Sequence, residues 1–578
     1  MEQRWGLPIV AWPSRLRPNF WDGVALPLVF GAIVLVAWAS QQMSAPYQTG
    51  QELPISLDPR YLPEYGLRTV LRMGLALAVS LVFSLVYAAA AAKSRRAEKL
   101  LIPVLDFLQS VPILSFLAIT VTGFIWLFPG SLLGYECAAI FAIFTSQAWN
   151  MTFSLYQSFI GVPQDLREAA RMYHLSPWQS FWQLEVPFAL PQLVWNMMMS
   201  VSGGWFFVVA SEAISVAGRD VKLPGIGSYI AAATEQRDWH AVGWAILAML
   251  AFILVYDQLL FRPLLAWAQR FKVESIGGDE IEPPWFLTML QRARLFDLLR
   301  ALFDGVLVVA SRAWRLLPRR EAVLRPARRP SRAVDLAWHA FLLAGALVVL
   351  AKIVLYVHSE VGAAEVAHVF LLGLVTLLRV AVLIALAALI WVPVGVWIGL
   401  RPRLARRVQP VVQFVSAFPA NLLFPIVVSA IVAYRLDVEI WVSPLMILGT
   451  QWYILFNVIA GTLALPTDYQ FVASNLGVSR WLWWRRLILP GIFPAFVTGA
   501  VTASGGSWNA SIVAEVVKWG DKTLVATGIG AYIAEETEKG DFPRVALGTT
   551  VLCLYVLLIN RLLWRRLYNL AEERLRLD

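Results

Sequence analysis

Two stretches of the chain, 303 residues apart, spell the same local structure: Pro163 to Pro187 reads PQDLREAARMYHLSPWQSFWQLEVP, and Pro466 to Pro490 reads PTDYQFVASNLGVSRWLWWRRLILP. In each, a Pro suited to a first helical turn opens a helix. A turn follows at His174 or Gly477, and Ser176 or Ser479 stands where an N-cap belongs. The spacing predicts two short helices set at an angle. A long apolar run follows each copy directly, so the unit lies just outside a membrane and can pass force into it.

The composition excludes a soluble protein: 59% of the 578 residues are hydrophobic, only 15% are charged, and the mean hydropathy is +0.64. A span needs roughly 20 apolar residues. Such runs lie near 22 to 40, 70 to 92, 103 to 128, 136 to 159, 189 to 215 and 241 to 262, and again near 336 to 357, 372 to 400, 408 to 434, 439 to 463, 492 to 518 and 543 to 563. The expected fold is an all-α polytopic membrane protein of about 12 transmembrane helices, arranged as two homologous six-helix halves.

Lys93, Arg95, Arg96 and Lys99 follow the second run and Arg401, Arg403, Arg406 and Arg407 the eighth, which places both loops in the cytoplasm. Counting crossings from these loops puts both termini inside and the loop Gln41 to Tyr65 outside. The first apolar run lacks a small-residue cleavage pattern and reads as a retained span. Cys137 and Cys553 both fall within apolar runs, where no bridge is expected.

The duplication extends beyond the helix–turn–helix. Thr69 to Arg72 repeats as Thr376 to Arg379, and Phe107 to Pro112 as Phe414 to Pro419. Trp149 pairs with Trp452, Glu212 with Glu515, and Gly225-Ile226-Gly227 with Gly528-Ile529-Gly530. Both halves run in the same direction, so a pseudo-twofold along the membrane normal is the natural arrangement. The domains expected are a first transmembrane unit over 1–268, a basic and amphipathic cytoplasmic linker over 269–334, and a second unit over 335–578. The linker's arginine run, Arg319 to Arg332, reads as contact with anionic lipid headgroups rather than nucleic acid.

With motif and topology in hand, the chain resembles the permease subunits of type I ABC importers, whose cytoplasmic loop has the form EAA, three residues, Gly, nine residues, then I-x-L-P. Glu168-Ala169-Ala170 stands at the EAA position, His174 replaces the Gly, and Leu184 and Pro187 complete the first tail. In the second copy Phe471-Val472-Ala473 replaces EAA, Gly477 is present, and Leu487 and Pro490 close it. His enters left-handed backbone more readily than most non-glycine residues, which keeps the turn at His174 feasible. Within that superfamily the chain is similar to the nitrate, sulfonate and bicarbonate (also taurine) permeases, with two units fused in one chain.

The resemblance implies a transport subunit of the bacterial inner membrane that imports a small solute and performs no bond chemistry. Two copies of a separate ABC ATPase would bind ATP and Mg, since this chain carries no GxxxxGK[S/T] loop and needs no cofactor of its own. An external solute-binding protein would dock on the outer loops. Small Ala169, Ala170 and Ala473 would let the ATPase approach closely, and Glu168 would meet a basic residue of its groove.

For the substrate path the candidates are Glu212, Glu515, Arg72, Arg379 and Asn150. Two readings of the carboxylates stand: they face a watery cavity, or they sit near the outer interface and brace the following loop. Arg72 and Arg379 read as interfacial anchors or as attractors of an anion, and Asn150, with Gln147 and Asn196, as a solute contact or a helix-packing group. Two rivals have other driving forces: a twelve-helix gradient-driven transporter, and a scaffold or channel that pumps nothing.

Overall fold

The computed structural model describes residues 20–47, 54–216, 219–271 and 285–292, scattered positions between 338 and 356, and 360–574. Most of the expected linker and its arginine run fall outside these residues. Within it, the helix Trp285–Arg292 packs on the first helix, Phe20–Met43.

Each half is built on three packed helices: Leu62–Lys93, Leu133–Ile160 and Val186–Glu212 in the first, and Ala363–Gly399, Gln451–Leu463 and Leu489–Ala514 in the second. Among the described residues six helices are long and apolar enough to cross a membrane, or up to eight if each bent pair forms one span. Helices occupy the positions expected near 22 to 40 and 136 to 159, and the run near 336 to 357 is helical at the scattered positions described within it.

Two expected spans are broken rather than continuous. The helix Arg95–Ser110 stops at Val111, and Pro402–Ala417 stops at Phe418, each followed by a proline, Pro112 or Pro419. Proline disfavours helical backbone at the preceding residue, and both Val111 and Phe418 are extended, with ψ of 122° and 126°. The second pair bends by 77°. The run near 439 to 463 also bends, by 46°, where Pro444 and Gly449 stand. Its first-half counterpart has Phe141 and Ser146 there and stays one helix.

These breaks tie the halves together. The Ile113–Phe116 elbow of the first half packs on helices Leu489–Ala514 and Phe542–Ile559 of the second. Reciprocally, the Ala420–Leu423 elbow packs on Val186–Glu212 and Trp239–Tyr256 of the first. Leu422 is fully buried in the first half's core, and Ile113 and Leu114 belong to the second's. The Ile113 N–H donates to Asn509 Oδ1 at 2.6 Å, Asn421 Nδ2 to the Phe206 carbonyl at 3.2 Å, and Thr549 Oγ1 to the Ser115 carbonyl at 3.1 Å.

The architecture is not helical throughout. Two short antiparallel hairpins follow the third helix of each set: β1 (Ala213–Val216) with β2 (Arg219–Lys222), and β3 (Val516–Trp519) with β4 (Lys522–Val525). The β3–β4 turn carries Gly520 at φ 56°, a left-handed position. Each hairpin leads into a short helix, Ile226–Glu235 or Ile529–Lys539.

Candidate functional site

A cavity of about 210 Å³ lies between the halves and is lined by residues of both. Its lining places repeat-equivalent positions opposite each other: Gln109 and Ser416, Ile113 and Ala420, Ser146 and Gly449, Asn150 and Tyr453, Gly203 and Gly506, Phe206 and Asn509, Phe207 and Ala510. The positions match, but apart from the glycine pair the residues differ, so the wall is asymmetric. Its polar groups are hydroxyls and amides, from Thr145, Ser202, Thr450 and Thr502 besides those named, and its aromatic wall is Trp149, Phe206, Phe207, Phe418 and Tyr453. Among the described residues no charged side chain lines it. Such a surface offers neutral donors and acceptors to a solute without the strong attraction of a fixed charge. Asn150 Nδ2 donates to Ser200 Oγ at 3.1 Å.

At one pole the two helix–turn–helix elements adopt matching backbone. The helices Gln164–Met172 and Thr467–Asn475 end in left-handed turns, His174 at φ 51° and Gly477 at φ 58°. Ser176 then caps the next helix in a reciprocal box with Gln179, the Oγ accepting from Gln179 N at 3.3 Å, and Ser479 Oγ accepts from Leu482 N at 3.4 Å. A π-turn follows in both copies, Phe181–Glu185 and Trp484–Ile488. Proline rings at Pro187 and Pro490 would press on the carbonyls four residues earlier, and the widened turn takes up that strain. From there helical backbone runs unbroken to Glu212 and Ala514, passing the cavity at Ser202 to Phe207 and at Thr502 to Ala510.

At the opposite pole those helices end on a buried ionic brace. Arg72 donates through Nε and Nη2 to Glu136 at 2.6 and 2.7 Å, and through Nη1 to Glu212 at 2.6 Å, and all three side chains are 0% exposed. Glu212 also accepts from Thr69 Oγ1 at 2.7 Å and from the Gly227 N–H at 2.7 Å, while Thr69 Oγ1 accepts from the Ile226 N–H at 3.1 Å. The second half repeats the plan more openly. Arg379 meets Glu515 at 3.0 Å and Glu439 at 2.7 Å, Thr376 Oγ1 donates to Glu515 at 2.8 Å, and the Ile529 and Ala531 N–H groups reach Thr376 Oγ1 and Glu515, each at 3.0 Å.

The brace ties the membrane helices to the Gly-Ile-Gly turn and so holds the short helix that follows that turn in place. Burial pushes the Tyr229 phenol on that helix up to about 12, and it donates to the Leu57 carbonyl at 2.7 Å. A Cβ at Gly225 or Gly528 would collide with the carboxylate of Glu212 or Glu515. Gly225→Ala and Gly528→Ala are each expected to lower the thermal unfolding temperature of the purified protein by several degrees, about 1 to 3 kcal/mol of overpacking.

A family model described as "Binding-protein-dependent transport system inner membrane component" matches this chain twice, over residues 59–261 and 391–577. The chain belongs to this family. It carries two of the family's units in one polypeptide and is a multi-pass membrane protein. Similar proteins include the nitrate import permease protein of Leptolyngbya laminosa, 29% identical over 187 residues, which are 32% of this chain and 63% of that protein. The bicarbonate transport system permease protein of Synechococcus elongatus is 28% identical over 186 residues (32% and 64%), and the taurine transport system permease protein of Escherichia coli 27% over 199 residues (34% and 67%). The chain thus spans less than two thirds of the nitrate and bicarbonate relatives' length.

Within this two-unit member of the family, the candidate residues separate into three places. Asn150 lines the cavity; Glu212, Glu515, Arg72 and Arg379 lie outside its lining, in the braces. Glu168 is exposed on the first helix–turn–helix, Ala169 and Ala473 are half-buried and Ala170 is buried, while Leu184, Pro187, Leu487 and Pro490 sit half-buried where the elements enter the bundle. Sequence reasoning passed over Glu136 and Glu439, although both carboxylates stand 303 residues apart in apolar runs. It also passed over Tyr453 and Asn509, which pairing each polar span residue with its repeat mate would have found.

Proposed function

We propose that this chain is a fused, two-unit permease of an ATP-driven importer, with both termini and both helix–turn–helix elements in the cytoplasm. The observation that carries this reading is the continuity of two helical rods. Each joins a capped, left-handed helix–turn–helix to the cavity wall and then to the brace under an outer hairpin. At 36 residues, Pro177–Glu212 spans about 54 Å at 1.5 Å per residue. Movement at its cytoplasmic end therefore reaches the cavity and the outer turn without an intervening loop.

Two copies of an ABC ATPase bind ATP and Mg and engage the two elements. Glu168 lies exposed for a basic residue of the ATPase groove, and Ala169 and Ala473 keep the approach close, whereas Ala170, expected to do the same, is buried against the membrane-helix ends and seats the element there. His174 and Gly477 set the turns, and Leu184, Pro187, Leu487 and Pro490 transmit the tilt. An external solute-binding protein delivers the solute to the outer turns. The solute is a small anion of the nitrate, bicarbonate or sulfonate type, in keeping with what the relatives' names state.

The cavity suits a path that must also release its cargo. Neutral donors hold an anion loosely, and Asn150 is the solute contact among the residues singled out from sequence. Glu212 and Glu515, which would repel an anion from a cavity wall, are instead paired with Arg72 and Arg379 in the braces, outside the cavity lining. Those four residues serve the outer turns.

The test is co-purification from native membranes of wild type beside Glu168→Arg combined with Gly477→Pro. Proline fixes φ near −65° and cannot occupy the left-handed turn. The expected result is an ATPase retained by wild type and lost from the variant, with ATP-dependent uptake lost in parallel and the same monodisperse elution from detergent. No ATPase in either sample, with uptake abolished by dissipating the proton gradient at constant ATP, would replace this reading with a gradient-driven transporter.

A further inference from the structure

A second cavity, of about 320 Å³, opens at the helix–turn–helix pole of the first half. It lies behind the helix Gln164–Met172, against the ends of Leu62–Lys93 and Leu133–Ile160. Helical spacing divides that helix into two faces. Asp165, Glu168 and Met172 share one, exposed and open to a partner. Arg167, Ala170 and Arg171 share the other and line the cavity, with Ala170 buried.

The charges in this cavity do not cancel. Its ionisable groups are Lys93, Arg167, Arg171 and Glu185. Lys93 is matched by Glu185 at 3.5 Å and stands 4.3 Å over the Phe181 ring. Arg167 Nη2 donates to the carbonyls of Phe159 and Ile160, at 2.8 and 3.3 Å, which are the last turn of a helix and carry no formal charge. The Arg171 side chain has no hydrogen bond or ion pair among the described residues. Two guanidinium groups thus face a polar cleft with no anion to neutralise them.

The second half shows that the shared fold does not require these charges. Its equivalent positions are Leu400, Gln470, Ser474 and Ile488. The basic set is an addition to one copy of a duplicated element, beside the exposed Trp178 and Trp182.

We propose that this cleft is an oxyanion site, with Arg171 and Arg167 as its ligands and Ser180 as a neutral donor, taking either a free phosphate-class anion or the phosphate of an acidic lipid headgroup. Guanidinium forks match the geometry of phosphate oxygens, and a partly enclosed cleft strengthens such bonds relative to open water. A bound anion bridges the inner face of the helix to the membrane-helix ends, so occupancy stiffens the first element while leaving Glu168 free. Its cytoplasmic placement rests on the importer reading; the binding itself does not.

The experiment uses the purified full chain in lipid nanodiscs, with thermal unfolding as the readout. In one arm, potassium phosphate is titrated into phosphatidylcholine discs against potassium chloride at equal ionic strength. In the other, phosphatidylglycerol is added to the discs without phosphate. Arg171→Glu removes the ligand without an internal partner, and Ser474→Glu places the same charge at the equivalent position of the second half.

The expected result is a ligand-dependent rise in unfolding temperature in at least one arm, which identifies the source of the phosphate. Arg171→Glu weakens half-saturation by about tenfold or more, as losing one charge-assisted donor should, and Ser474→Glu matches wild type. No rise beyond chloride in either arm, or an equal rise in Arg171→Glu, overturns the proposal. No ATPase or nucleotide is present, so failure here leaves the importer reading standing, and failure of that reading leaves this measurement interpretable.

Discussion

Arg72→Met is expected to destabilise the first half more than the matching change destabilises the second. Arg72 supplies the one positive charge bonded to two carboxylates that, like itself, are 0% exposed. Removing it strands Glu136 and Glu212 side by side with no counter-ion, and breaking a buried ion network in this way costs about 3 to 5 kcal/mol. Arg379 is 10% exposed, and its partner Glu439 is 46% exposed, so water can take over part of its work in Arg379→Met. Thermal unfolding of the detergent-purified protein, or its folded yield at fixed expression, ranks the two. Adding Glu136→Gln to Arg72→Met should recover part of the loss by removing one stranded charge. An Arg379→Met defect equal to or larger than that of Arg72→Met, or no rescue by Glu136→Gln, would show that the brace is held by the Thr69 and backbone bonds instead.

The brace also shows what a sequence makes legible. Thr69, Arg72, Glu212 and the Gly-Ile-Gly turn stand out in the repeat because local spacing preserves them. That they converge on one carboxylate could not be seen, because Arg72 and Glu212 are 140 residues apart in the chain. Glu136 reads as one polar residue at the start of an apolar run, although it accepts two of the three Arg72 hydrogen bonds in the brace. The turns were different. A left-handed residue between a short helix and a capping Ser is a local property, so His174 and Gly477 could be placed from sequence and occupy that backbone in the structure.

Hydropathy located the apolar runs but not their shape. A window that averages over Val111-Pro112 or Phe418-Pro419 registers one apolar stretch where the backbone turns away. Those elbows cross into the other half, and the cavity and the interface both depend on that exchange. The β3–β4 hairpin did have a signal, a Gly520-Asp521 turn between β-branched residues, which the prevailing helical pattern masked. The π-turns had only the prolines that follow them as a marker.

Gly203→Phe is expected to stop transport without dismantling the protein. Gly203 lines the central cavity, and a Cβ there would approach Tyr453 Oη at 3.3 Å, close enough to need only a small shift of that side chain. A phenyl ring beyond that Cβ occupies the space a solute must cross. The pseudo-symmetric Gly506 is a poorer place for the same experiment, because a Cβ there would strike Thr450 and confound blockage with overpacking. Gly243→Phe is the control, since nothing lies within 4 Å of a Cβ at that position. Uptake should fall by at least about tenfold in Gly203→Phe, equivalent to about 1.4 kcal/mol on the barrier. The control should transport normally, and all three proteins should retain the ATPase and unfold at similar temperatures. Unchanged uptake in a folded, ATPase-bound Gly203→Phe would move the path away from the axis between the halves. Full loss together with intact coupling would instead locate the solute's passage among the hydroxyls, amides and aromatic rings that meet there.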